Sequence, residues 1–307
     1  MEAIRGIILK IASVTMFIVM ASLIKATSDH VPAGEAVFFR SFFALPVILV
    51  WLIIRGELKT GLKTSQPMQH LWRGLVGTVA MGLGFTGLGL LPLPEVTAIG
   101  YAAPLLTVIL AAMFLGEQVR AFRLSAVVLG LVGVLIVLSP RLESFSNSDL
   151  ASRETLGATV VLMGAGCAAL AQVFIRKMVF TEKTSAIVFY FTVTSTVLSL
   201  LTIPFGWAMP EPREAMLLIL AGLFGGIGQI LLTSSYRFAD ASVIAPFEYT
   251  SIIWALGIGY IVFSETPTLT MLIGASLVIL AGVLIIWRES TLGLERSKQR
   301  KVMTPQG

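Results

Sequence analysis

Long apolar runs separated by brief polar breaks make up most of the chain. They fall near 7–24, 36–54, 74–91, 96–115, 124–139, 155–175, 185–204, 215–236, 241–263 and 268–287. Each is roughly 16 to 23 residues long, about enough for one helical crossing of a bilayer. The pattern predicts an all-α membrane protein with ten transmembrane helices. The connections are short, and the one linker-like stretch, from Pro140 to Glu154, carries Ser144, Ser146, Asn147 and Ser148. It falls between the fifth and sixth runs. Residues 1–140 are therefore expected to form one five-helix unit, 141–153 an outer linker, 154–290 a second five-helix unit and 291–307 a basic tail.

The two units resemble each other. Gly74, Gly77, Tyr101 and Glu117 recur at one constant spacing as Gly222, Gly225, Tyr249 and Glu265. Five crossings separate the copies, so the second is expected to lie inverted in the membrane. Inverted repeats of this kind build many secondary transporters.

Composition agrees with the pattern: 56% of the 307 residues are apolar, 13% are charged, and the mean hydropathy is +0.90. That charge fraction is about half that of an ordinary soluble domain. The first run follows Arg5 and could be taken for a signal peptide. It is too long for one and ends at Ala21–Lys25 without a persuasive cleavage site, so it is expected to stay as a helix. With the N-terminus inside, most of the 22 Lys and Arg fall in cytoplasmic segments; the outer loops hold Lys25, Arg141, Arg153 and Arg213. Basic residues accumulate on the cytoplasmic side, so both termini are predicted to lie there. The net charge of +5 follows from this asymmetry and points to no nucleic acid. The tail from Arg296 to Lys301 reads as a solvated end facing anionic lipid. The one cysteine, Cys167, lies within the sixth run, so an intrachain disulfide is excluded and no thiol cluster for a metal is expected. No nucleotide-binding loop is visible either, so any pumping must draw on a gradient.

Ionisable groups inside a span cost about 2.5 to 3.5 kcal/mol on insertion scales, so each needs a reason. Lys10 lies about one turn inside the cytoplasmic end of the first run and is expected to snorkel to the headgroups. Arg40, about 6 Å inside the outer end of the second at about 1.5 Å per residue, is expected to reach water or hold the mouth of a cavity. Glu248 lies roughly 10 Å deep in the ninth run, too deep for so short a side chain to reach water. It should face a wet cavity, pair with a base, or be protonated. Gln172 and Gln229 are neutral amides that either bind another helix or contact substrate. Glu117 and Glu265, at span ends, are expected to anchor the following loops.

Glycines crowd the third and eighth runs. They allow close helix approach, and they also allow bending during alternating access. Pro104 in the fourth run and Pro246 in the ninth free the carbonyls of Gly100 and Ser242, so kinks are expected beside Tyr101 and Tyr249. Both tyrosines are candidates to line a pocket.

These features resemble the drug/metabolite transporter superfamily, in its ten-helix branch with two EamA domains. The resemblance is carried by EVTAIGYAAPLLTVILAAMFLGEQV from Glu95 to Val119 and its echo SVIAPFEYTSIIWALGIGYIVFSE from Ser242 to Glu265. It implies two EamA-like repeats around a central cavity lined by helices one, three, four, six, eight and nine. The second copy departs from the first at Ser264, where the first has Gly116, and at Pro246, where the first has Ala98. The stretch from Ser22 to Leu52 resembles bacterial riboflavin importers of the same superfamily more narrowly.

The expected function is transport of a small-molecule metabolite across the bacterial inner membrane by alternating access, with riboflavin uptake as a specific form. The candidate substrate-binding or coupling residues are Glu248, Tyr101, Tyr249, Gln229, Gln172, Arg40 and Lys10, with proton coupling through Glu248. Export of amino acids or amphiphilic metabolites is the alternative. A membrane-embedded enzyme is disfavoured, because His30 lies in a loop, His70 at a membrane edge, and the spans hold no paired carboxylates and no nucleophile with a base. No catalytic residue, metal or cofactor is expected. The oligomeric state is left open.

Overall fold

The computed structural model describes residues 2–58, 60–115, 121–146, 153–238, 245–284 and 287. Glu117, Ser242, residues 147–152 of the outer linker and the basic tail lie outside the described residues. Helix α1 spans Glu2–Lys25, α2 Ala33–Phe42, α3 Ala44–Ile54, α4 Pro67–Leu90, α5 Leu93–Gly100, α6 Ala102–Leu115, α7 Ala121–Ser146, α8 Arg153–Met178, α9 Thr184–Leu200 and α10 Pro212–Phe238. A 3-10 turn, Ala245–Thr250, leads into α11, Ser251–Phe263. Helix α12 follows over Leu269–Leu284. Among the described residues five stretches are long and apolar enough to cross a bilayer by themselves, and four shorter apolar helices supply other crossings. With α4 they form ten helical crossings arranged as two inverted five-helix repeats.

Proline sets several element boundaries. Pro67 lies at the start of α4 and Pro212 at the start of α10, where a missing N–H leaves no bond unmade. The second crossing is divided at Phe43, between α2 and α3, by Pro46, which cannot donate to the carbonyl of Phe42. The fourth is divided at Tyr101, between α5 and α6, where Pro104 leaves the Gly100 carbonyl unbonded within the helix. The ninth passes from 3-10 to α-helix at Ser251. Tyr101 and Tyr249 therefore both lie at helix joints, as the proline positions predict.

The two repeats interlock. Helix α1 packs along α10, and α4, two crossings after α1, packs along α8. These are crossings one with eight and three with six, which the repeat relates to each other. Helix α2 packs on α9 and α5 on α11, each crossing against its own counterpart. Crossings five and ten meet at bare backbone. A Cβ on Gly133 would stand 2.7 Å from the Gly274 carbonyl oxygen, and one on Gly274 would stand 2.6 Å from that of Gly133. No side chain fits on either side, which is the close approach that helices in lipid use in place of a hydrophobic drive.

The core follows this arrangement. One apolar cluster joins Ile99, Tyr101 and Leu105 to Val134, Val161, Tyr249 and Val278; another joins Ile24, Val37 and Leu93 to Leu218 and Ala255. Both contain residues of both repeats. The outer surface is apolar as well, with Ile54, Ile261 and Leu269 each more than 70% exposed. In water such a surface would drive aggregation; in a bilayer it faces acyl chains.

Polar clusters tie down the loops. His30 Nδ1 lies 2.9 Å from Glu214 Oε2. This hydrogen bond and the neighbouring carboxylate raise the His30 pKa above its ordinary 6.5. Glu182 accepts from the Thr64 hydroxyl and the Ser65 N–H, each at 3.0 Å, and from the Ser65 hydroxyl. Burial alone would raise the Glu182 pKa, but these donors outweigh it and hold the carboxyl below its ordinary 4.5.

Candidate functional site

The fourth and ninth crossings are discontinuous, and their joints lie side by side. The rings of Tyr101 and Tyr249 meet edge to face with centroids 4.9 Å apart. The Tyr101 hydroxyl lies 2.8 Å from Ser251 Oγ, which donates to the Glu248 carbonyl at 2.7 Å, and 3.3 Å from the Tyr249 carbonyl. Carbonyls released where the ninth crossing changes helix type are thus met by hydroxyls, as irregular backbone at membrane depth requires.

Beside these joints is a cavity of about 260 Å³. Its wall is formed by α1 (Val14, Phe17 and Ile18), the fourth crossing (including Thr97, Tyr101 and Pro104), α8 (Ala168 and Gln172) and the ninth crossing (Glu248 and Ser251). The wall is mostly apolar, with hydroxyls, one amide and one carboxylate spaced along it, the composition of a small-molecule site. Helices α4 and α10 do not line it, so its wall is narrower than the six-helix lining the family resemblance implies. Those helices instead pack against α8 and α1, and so lie behind the wall.

Glu248 faces this cavity and is ion-paired with Lys10 of α1. The lysine side chain is 3% exposed and the glutamate side chain 31%. Lys10 therefore does not snorkel to the headgroups. Its ammonium is turned into the bundle because a carboxylate is there to meet it, and an internal counter-charge removes the reason to reach for water. Of the three outcomes expected for Glu248, two hold together: it has a basic partner, and it borders a cavity.

The amides separate. Gln172 lines the cavity, and its Oε1 accepts from the Tyr236 hydroxyl of α10 at 3.2 Å, an interhelical bond. Gln229 is buried, and its Nε2 approaches Thr233 Oγ1 of its own helix, at 3.5 Å. It does not line the cavity, and among the described residues its side chain forms no hydrogen bond to another helix. Glu265 is 3.0 Å from Lys25 and accepts from the Leu93 N–H at 2.9 Å. Lys25 also donates to the carbonyls of Leu88 and Leu91. Glu265 thus fastens the ends of the first, third and fourth crossings together, where the loop after it was expected to be its partner.

Arg40 neither reaches water nor stands at the mouth of a cavity: it is 2% exposed. It is enclosed because Gly225 of α10 has no side chain there; a Cβ on Gly225 would stand 2.9 Å from Arg40 Nε. Arg73, which the hydropathy pattern leaves just outside the third apolar run at Gly74, is 4% exposed within α4. It lies over Gly77 in the same way. The signal for both was present in the paired glycines Gly77 and Gly225, each one making room for a guanidinium.

Comparison with known proteins agrees with this architecture. The family model described as "EamA-like transporter family" matches twice, at residues 4–139 and 155–287. The chain is 31% identical over 255 residues to an S-adenosylmethionine uptake transporter of Rickettsia bellii, covering 83% of this chain and 84% of that one. It is 30% identical over 280 residues to the pseudopaline exporter CntI of Pseudomonas aeruginosa, covering 90% and 94%. A solved structure with 17% identity superposes with a TM-score of 0.67 over 94% of this chain and 98% of its own length, and so shares the fold. The two matched segments take in most of the chain and coincide with its two helical repeats: this multi-pass membrane protein, a small-metabolite transporter, belongs to the EamA-like transporter family.

Proposed function

We propose that the chain is a secondary transporter that carries a small amphiphilic metabolite bearing an amino-acid-like zwitterion across the bacterial inner membrane by alternating access. The observation that carries this reading is the Lys10–Glu248 pair at a cavity between helices of both repeats. A zwitterion can exchange with such a pair: its ammonium replaces Lys10 at the carboxylate, and its carboxylate meets the released lysine. Charge stays matched throughout, so the pair opens without leaving a lone ion in low dielectric. A proton on Glu248 would release Lys10 by the same logic, which is the form proton coupling takes here. Relatives named for uptake of S-adenosylmethionine and export of pseudopaline support a metabolite cargo and leave both directions open to the fold.

The repeats are taken as 1–140 and 154–290, joined by 141–153 and followed by the tail 291–307. The bacterial relatives and the Lys and Arg distribution support an inner-membrane location with both termini cytoplasmic. Riboflavin uptake is the second reading, favoured by the aromatic face of Tyr101 and the amide of Gln172 on the wall.

Right-side-out and everted membrane vesicles, loaded in turn with labelled S-adenosylmethionine, methionine and riboflavin, test both readings. Uptake or release that depends on the chain is expected for a zwitterion. Flux of riboflavin alone selects the second reading, and flux of none of the three removes both. Glu248→Gln should abolish the pH dependence of flux at preserved expression; an unchanged profile removes Glu248 from coupling.

A further inference from the structure

Two guanidinium groups are buried in the bundle with no counter-charge among the described residues. The Cζ of Arg73 lies 4.0 Å from the ring centroid of Phe191 on α9, and that of Arg40 lies 5.4 Å from the same centroid. The two cations are therefore no farther apart than the sum of those distances. Nε and Nη1 of each have no hydrogen-bond partner. Arg40 Nη2 has a long contact, 3.4 Å, to the Gly225 carbonyl. Among the described residues no carboxylate forms an ion pair with either arginine.

The ring does not account for this arrangement. A cation on an aromatic face gains only modestly, and a quadrupole leaves both positive charges in place, so they repel each other. Buried charges are ordinarily paired, and each forked donor set matches a planar oxyanion. Nor is the pair a by-product of the repeat. The positions equivalent to Arg40 and Arg73 in the second copy are Val188 and Ala221, both apolar and both fully buried. What the repeat does supply is the glycine before each guanidinium, Gly225 and Gly77.

We infer that Arg40 and Arg73, framed by Phe191, form an oxyanion site that takes a carboxylate between the two guanidinium forks. N–O bonds of about 2.8 Å from each fork let one carboxylate bridge them. The site is covered in this conformation, so α2, α4 and α9 must part for an anion to enter. Its two sources are a carboxylate of the transported molecule and a free inorganic or organic oxyanion. It lies on the α2–α4–α9 side of the bundle and shares no residue with the wall of the cavity that holds Glu248.

The full chain, purified in detergent with HEPES as the other anion, provides the test, with acetate and inorganic phosphate as probes and acetamide as the uncharged control. Acetate is expected to raise the melting temperature saturably, and acetamide is not. Arg73→Met should raise the melting temperature without anion, because it removes one of two unneutralised like charges, and should abolish the acetate shift. Arg73→Lys keeps the charge, loses the fork, and should weaken acetate at least about tenfold, equivalent to 1.4 kcal/mol. If the arginines are only packing against Phe191, Arg73→Met lowers the anion-free melting temperature and any acetate shift is unchanged; that result, or no saturable shift in the wild type, overturns the site. Methionine against methioninamide separates the sources. Tighter binding of methionine than of acetate, dependent on Arg73, identifies the cargo carboxylate, whereas equal binding identifies a free oxyanion. None of these readouts requires transport, so failure of the zwitterion reading leaves the result interpretable.

Discussion

Lys10–Glu248 and Arg40–Arg73 are both charged pairs buried in the bundle, and they solve the burial of charge in opposite ways. The first joins opposite charges from α1 and the ninth crossing, so the lysine is satisfied from within and the carboxylate still borders a cavity. The second sets like charges from α2 and α4 against one ring, with four nitrogens lacking a partner. A satisfied pair is stable when nothing is bound and must be opened by a competitor; an unsatisfied one is held by surrounding structure and gains when a counter-ion arrives. The energetic signs of removing one member should therefore differ.

The sharpest test is Lys10→Met. It leaves the half-buried carboxylate unmatched and should cost about 3 kcal/mol in unfolding from mild detergent, the low end for breaking a buried pair because Glu248 keeps 31% exposure. The double variant Lys10→Met, Glu248→Met should recover most of that loss. The contrast with Arg73→Met disappears if both single changes destabilise alike. Next is the Lys25–Glu265 contact, a control in which charges are paired nearer a helix end. Glu265→Gln keeps an acceptor for the Leu93 N–H but loses the ion pair, and should cost about 1 to 2 kcal/mol by the same measurement. A larger loss than that of Lys10→Met would mean that depth is not what separates the pairs.

A smaller effect is expected at Ser264, which has φ of +55° at the end of α11, where the Glu265 N–H turns back to the Gly259 carbonyl. A non-glycine residue in this left-handed region is strained. Ser264→Gly should stabilise by up to about 1 kcal/mol, read as a rise in melting temperature, and should leave both charge pairs untouched.

The smallest effects concern the loop clusters. The Glu182 pKa is depressed in the folded chain, so its stabilisation is present above pH 4.5 and is lost as pH falls below that value. The His30 pKa is raised, so its contribution is full below pH 6.5 and fades as pH rises through the folded value. Melting temperature against pH should lose its acid-side slope in Glu182→Gln and its neutral-side slope in His30→Gln. Neither change should alter the response to acetate.

The fold was legible because lipid leaves few solutions for an apolar run: span positions, inverted repeats and helix breaks near Tyr101 and Tyr249 all follow from hydropathy, glycine and proline. Glu248 was legible for the complementary reason that a short acidic side chain at depth demands explanation. Pairing was less so. The partner of Glu248 lies on another helix far away in sequence, and spacing carries no information on which helix faces which; Lys10 accordingly read as a snorkelling residue. Arg73 was obscured by its position one residue before an apolar run, where a cation reads as a loop charge. Whether it turns outward or inward depends on Gly77 and Phe191, contacts that exist only once α4 and α9 pack.

The interlocked halves constrain how the molecule is made. The first crossing has its main neighbour in the eighth, and the third in the sixth, so the N-terminal half leaves the ribosome before the surfaces it will pack against have been synthesised. Membrane insertion must then precede assembly, with early helices waiting in lipid. Lys10 waits as well, since the carboxylate that neutralises it is translated more than two hundred residues later.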